Sequence, residues 1–158
     1  MLRRSLLTLA AALLVSACAA PSRSPNIVEV AQSAGQFDTL VAAVSAADLV
    51  ETLSGPGPFT VFAPTDAAFA ALPDGTLDSL LQPENKGLLT SILTYHVVPG
   101  RITAADLTGQ RLRVTTVNGA TLHIDGRNGV RVNQSNVVSP DVAASNGIIH
   151  VIDRVLLP

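Results

Sequence analysis

The hydrophobic period changes once along this chain, and that change limits the fold more than any other feature. Up to Leu93 the apolar residues recur at helical spacing: Ile27, Val30, Ala31 and Ala34, then Phe37, Leu40, Val41 and Val44, later Leu77, Leu80 and Leu81, and finally Leu88, Leu89, Ile92 and Leu93. From Tyr95 onward the repeat shortens to two. Arg111-Leu112-Arg113-Val114 alternates polar and apolar side chains, as a half-exposed strand must. A single strand, Phe59-Thr60-Val61-Phe62-Ala63, interrupts the helical part. Helices first and strands later, without regular βαβ alternation, predict an α+β domain with mainly antiparallel pairing.

Local signals mark the boundaries. Asn26 with Glu29 three residues on forms an N-cap pair, and Gly35 interrupts the first helix. Ser54-Gly55-Pro56-Gly57-Pro58 cannot continue a helix. Thr65 caps a helix beginning at Asp66, whose charge suits the positive helix end. Tyr95-His96-Val97-Val98 reads as a strand closed by Pro99-Gly100, and Asn118-Gly119 as a hairpin turn. Short strands are expected at Thr121–Ile124, Val130–Val132, Asn136–Val138 and Ile148–Leu156.

The amino terminus carries an export signal. Two arginines precede the ten-residue apolar run Leu6–Val15, half of the roughly 20 residues a spanning helix needs. Val15-Ser16-Ala17-Cys18 resembles the bacterial lipoprotein box, in which the thiol receives diacylglycerol and the leader is cut before the cysteine. Ala17-Cys18-Ala19 also fits an ordinary small-x-small cleavage site, which would release a soluble secreted protein; a buried structural cysteine is the third reading. The lipoprotein reading divides the chain into a signal peptide (1–17), a lipidated Pro/Ser tether (18–25) and one domain (26–158), attached to the cell envelope through acyl chains such as palmitate on Cys18. Ala19, rather than Asp, after the cysteine favours an outer membrane if the cell has one. The extended tether reaches about 20 Å, so the domain sits close to its membrane.

Residues 18–158 carry eight basic and twelve acidic side chains, a net charge of −4, which argues against a nucleic-acid partner. The halves differ: residues 18–99 hold two basic and eight acidic side chains, residues 100–158 six and four. Charged residues are only 14% of the chain, against about 25% in an ordinary domain. Such an exterior must use Ser, Thr, Asn, Ala and some apolar groups, which leaves room for an association patch.

Three stretches, in order, resemble a fasciclin-type domain. They are Gly57-Pro58-Phe59-Thr60-Val61-Phe62-Ala63-Pro64-Thr65-Asp66-Ala67-Ala68-Phe69, then Leu93-Thr94-Tyr95-His96-Val97-Val98-Pro99-Gly100, then Ala144-Ser145-Asn146-Gly147-Ile148-Ile149-His150-Val151-Ile152-Asp153. The resemblance covers about Asn26 to Pro158. It implies a wedge of two twisted, mainly antiparallel sheets with about seven strands and helices packed around one side. It also implies an extracellular adhesion or binding module, with Tyr95-His96 matching a motif proposed to bind cells in animal relatives, and Thr65, Asp66, Asn146, Gly147 and His150 as structural motif residues. In a strand Tyr95 and His96 point to opposite faces, so His96 is expected to turn inward, with Asp66 as its hydrogen-bond partner. Ala47-Asp48-Leu49 departs from the family's usual Ala-Gly-Leu at a helix end; Asp tolerates the left-handed conformation such a turn requires.

No catalytic or cofactor pattern accompanies these motifs. His96, His123 and His150 lack H-E-x-x-H or H-x-H spacing, so a zinc site would need tertiary convergence of all three. No Gly-x-Ser-x-Gly elbow is present, and Ser54–Gly57 lacks the Lys of a phosphate loop. Asp125–Gly129 offers scattered oxygens without the bidentate Glu of a calcium loop, and its glycine pair suits a hairpin better. Asn133-Gln134-Ser135 is a formal glycosylation triplet, of little weight in a bacterial lipoprotein. Arg101, Arg111, Arg113, Arg127 and Arg131 form either a basic stripe facing acidic polymers or a solvated strand face. The expected function is a non-enzymatic, membrane-anchored module that recognises an envelope or extracellular protein or polysaccharide, without metal or cofactor. A structural or stress-related envelope assembly factor is the alternative, and a hydrolase a remote one.

Overall fold

The computed structural model describes residues 23–158; Cys18 and the leader lie outside the described residues. Asn26 opens α1 (Ile27–Ala34) with reciprocal bonds: its side chain accepts from Glu29 N–H at 3.0 Å and Glu29 accepts from Asn26 N–H at 2.7 Å. Gly35, at φ +65°, ends the helix. After α2 (Asp38–Ala46), Asp48 adopts φ +56°, the left-handed corner that leads into α3 (Val50–Ser54), a short helix the sequence signals do not reveal. Then come β1 (Phe59–Pro64), α4 (Asp66–Ala70), α5 (Thr76–Leu80), a 3-10 turn at Pro83–Asn85 and α6 (Lys86–Tyr95). The rest is mainly strand: β2 (Val97–Pro99), the single turn α7 (Ala104–Leu107), β3 (Arg111–Thr115), β4 (Thr121–Asp125), β5 (Arg131–Val132), β6 (Ser135–Ala144) and β7 (Gly147–Ile152).

The strands form an open, seven-stranded order, β2-β1-β7-β6-β5-β4-β3. All pairs are antiparallel except β1 with β7, which run parallel from Phe59↔Gly147 to Pro64↔Ile152. Strand β6 joins the two arms, pairing with β5 through Ser135 and Asn136 and with β7 from Val137 onward. Its length exceeds the expected Asn136–Val138. Pro140 cannot donate to a ladder, and the strand accommodates it by shifting register between Ser139 and Val142, with Asp141 at φ +55°.

Strand alternation sorts the side chains into two cores. Val61 and Ala63 of β1, Ile149 and Val151 of β7, and Val97 of β2 pack against the helices. Phe62, Ile152 and Val98, on the opposite faces of the same strands, pack against Leu122, Ile124 and Val132 of the hairpin arm. The central strands are therefore covered on both sides, by helices on one face and by the second arm on the other, which is the anticipated wedge.

Candidate functional site

Helix α6 buries Leu89, Ile92 and Leu93 against the helical core and runs on to Tyr95, which packs in the second core; His96 is its C-cap. The expected strand begins only at Val97. Tyr95 and His96 do not divide between an inner and an outer face: Tyr95 is 5% exposed and His96 2%. His96 Nε2 lies 3.0 Å from the Leu156 amide, which can only donate, so Nε2 accepts. Nδ1 must then carry the proton, donating to the Ile92 carbonyl at 2.8 Å. The ring thus satisfies one of the open carbonyls at the end of α6 while pinning the carboxy-terminal segment. Burial pushes its pKa down to about 4, against a smaller opposing effect of the Ile92 bond. Both nitrogens of this neutral imidazole are occupied by backbone.

Asp66 is not the partner of His96, contrary to expectation. Strand β2 lies antiparallel to β1, with Val97 opposite Val61 and the His96 carbonyl accepting from Phe62 N–H at 2.9 Å. His96 is thereby set beside the middle of β1, whereas Asp66 lies beyond its far end. There Asp66 Oδ1 accepts from Thr39 N–H at 2.8 Å, in the first turn of α2, whose own N-cap position, Phe37, has no capping side chain. That bond is the main cause holding the Asp66 carboxyl below its ordinary pKa. Thr65 caps α4 through Ala68 N–H.

The third sequence box ties the helices to the sheet. Asn146 Oδ1 accepts from Ile27 N–H at 3.0 Å, and its Nδ2 donates to the carbonyls of Leu53 at 2.6 Å and Gly55 at 2.9 Å. Gly147 runs so close to β1 that a Cβ there would sit 2.0 Å from the Phe59 carbonyl oxygen. His150 is fully buried, stacks on Phe62 with ring centroids 5.5 Å apart, and has Nε2 2.8 Å from the Ile102 carbonyl.

What the Tyr-His pair positions is a surface. Tyr95 Oη accepts from Asn133 Nδ2 at 3.0 Å. Asn133, at φ +52°, grips β4 twice: its Oδ1 accepts from His123 N–H at 3.0 Å and its own N–H donates to the His123 carbonyl at 2.7 Å. Two adjoining open grooves, about 400 and about 590 Å³, share His123 and Asn133. The first is lined by Arg111, Arg113 and Asp125, the second by Gln134, Arg154 and the exposed Leu157. Tyr95 thus orients the floor, and His96, through Leu156, the opposite wall. The sequence carries no signal that joins Asn133, His123 and Arg154 in one groove. The Asn133 triplet suggested glycosylation, whereas its part here depends on a left-handed turn and a partner 38 residues away. Among the described residues no group of three or more His, Cys, Asp or Glu side chains is placed to hold a metal, and no helix is long and apolar enough to cross a membrane.

The profile of the Fasciclin domain matches residues 35–158. The chain belongs to the fasciclin domain family. It is 60% identical over 141 residues to Protein sll1483 of Synechocystis sp., covering 89% of this chain and 77% of that protein. It is 42% identical over 112 residues to the cell surface glycolipoprotein MPB83 of Mycobacterium bovis, covering 70% of this chain and 48% of that one. Among solved structures, a fasciclin domain pair from the insect cell adhesion molecule Fasciclin I superposes with a TM-score of 0.76 at 24% identity, over 86% of this chain and 52% of that one. That likeness establishes the shared fold.

Proposed function

We propose that this chain is a lipid-anchored, extracytoplasmic binding module that recognises a protein or polysaccharide of the cell envelope. The observation that carries this reading is the open groove at Asn133 and His123, held from beneath by the buried Tyr95–His96 pair. A family motif with no side chain free for chemistry acts here by fixing the shape of an exposed surface. The Val15–Cys18 box supports the anchor, as does kinship with a mycobacterial protein named a cell surface glycolipoprotein. The test is crosslinking in intact envelopes followed by isolation of the chain, with Cys18→Ser as the anchoring control. Discrete crosslinked products and release of Cys18→Ser from membranes are expected. A mature amino terminus at Ala20 would refute the anchor, and a chain that crosslinks to nothing would refute the binding module.

A further inference from the structure

We infer that the groove spanning Arg113, His123, Asn133 and Arg154 takes an acidic polysaccharide. The inference rests on the binding-module reading above and names the ligand class.

The evidence is the distribution of charge partners. All four side-chain carboxylates after residue 100 accept protein hydrogen bonds: Asp106 from Thr103, Asp125 from Arg111 and Arg127 N–H, Asp141 from Ala104 N–H, and Asp153 from Asn136. The arginines are not so occupied. Arg111 pairs with Asp125 at 2.7 Å, but among the described residues Arg113 and Arg154 make no ion pair and no side-chain hydrogen bond. The two grooves together present three guanidiniums against one carboxylate, on a chain whose overall charge is −2. The groove is therefore locally positive: Asp125 is engaged by Arg111, and Asp153 beside Arg154 is engaged by Asn136. A guanidinium binds a carboxylate through two parallel N–H donors, a match a point charge cannot supply.

The rest of the lining suits sugar. His123, Asn133 and Gln134 offer polar groups for hydroxyls between the two free arginines. A folded protein partner is usually held by an apolar or aromatic anchor seated in a deep pocket. This groove is open, and its exposed large apolar side chain is Leu157. A chain of uronic acid residues, with carboxylates repeating along a hydroxylated backbone, complements that pattern.

The full chain should be tested by affinity electrophoresis and titration calorimetry with polygalacturonate, with dextran as the neutral control. Polygalacturonate should retard the wild-type chain and dextran should not. Binding should weaken steadily between low and high salt, since screening shortens the reach of exposed charges to about 10 Å at 0.1 M. The Arg113→Ala/Arg154→Ala double variant, which removes no side-chain hydrogen bond and no ion pair, should keep the unfolding midpoint within a few degrees of wild type and bind at least tenfold more weakly. Asp125→Asn, which removes the groove's carboxylate and releases Arg111, should bind more tightly. Equal binding of dextran, undiminished binding by the double variant, or no tightening by Asp125→Asn would overturn the assignment. So would salt-sensitive self-association through the same arginines without retardation by polygalacturonate, which would give the groove to the acidic half of a second copy. If the double variant still crosslinks normally in envelopes, the binding module stands and only the ligand is wrong; if the wild type crosslinks to nothing, the module itself fails.

Discussion

Replacing His96 by Ala probes the link between the Tyr-His motif and the fold most directly. The substitution leaves the Ile92 carbonyl and the Leu156 amide without partners at a fully buried site. Each orphaned group costs about 1–3 kcal/mol, so a total loss of about 2–6 kcal/mol is expected in urea unfolding. The pH dependence supplies an independent check. In the folded chain His96 stays neutral down to a pKa of about 4, whereas an unfolded histidine takes up its proton near 6.5. As pH falls below 6.5 the unfolded state binds protons first, so stability is fully present above that value and drains away toward pH 4. At about 1.4 kcal/mol per pKa unit the loss across this window is about 3 kcal/mol. The carboxylates also titrate near its lower end. The relevant quantity is therefore the difference between wild type and His96→Ala, which should shrink by about 3 kcal/mol between pH 7 and pH 4. Parallel stability profiles for the two proteins from pH 7 to pH 4.5 would refute the buried, neutral imidazole and with it the positioning role.

Tyr95→Phe should lose the single bond to Asn133, lowering stability by about 0.5–1.5 kcal/mol, and the backbone amide exchange of His123 and Asn133 should quicken with it. Asp66→Ala should cost about 0.5–2 kcal/mol through loss of the cap on α2. Because the folded Asp66 carboxyl has a lowered pKa, that contribution is present above the unfolded carboxylate range near pH 4 and disappears as acid protonates it, so denaturation midpoints of variant and wild type should converge at low pH. Gly147→Ala should be disproportionately harmful for one added methyl, at the upper end of about 1–3 kcal/mol or beyond, because the atom in its way is the Phe59 backbone oxygen within the β1–β7 ladder. A thermal midpoint equal to wild type would contradict that close approach.

Local chemistry was legible wherever partners are near in sequence. The Asn26–Glu29 capping pair, the Thr65 cap, the Asp48 left-handed corner and the Asn118-Gly119 hairpin each depend on residues within a few positions of one another. The helical and strand periods were equally readable, because burial on one face imposes them. Strand β6 runs past the expected Asn136–Val138 because a shift of register carries the ladder beyond Pro140, a feature that only pairing with β7 reveals. The run Tyr95-His96-Val97-Val98 favours a strand by its aromatic and β-branched residues. The helix wins because Leu89, Ile92 and Leu93 anchor it on the helical core while Tyr95, in its last turn, buries against the second arm.

The amino-acid sequence by itself determined the α+β order of elements, the caps and turns, and the residues that had to be buried, because these follow from propensity and spacing along one chain. The tertiary structure decided which of those residues meet. It gave the Asp66 carboxylate to the start of α2, 27 residues away, and His96 to the Leu156 amide, 60 residues away. It set Asn133 over the Tyr95 hydroxyl and left Arg113 and Arg154 without partners beside it. Such pairings depend on strand register and on how two arms of a sheet fold over each other. A one-residue slip in either would present a different set of side chains to the groove.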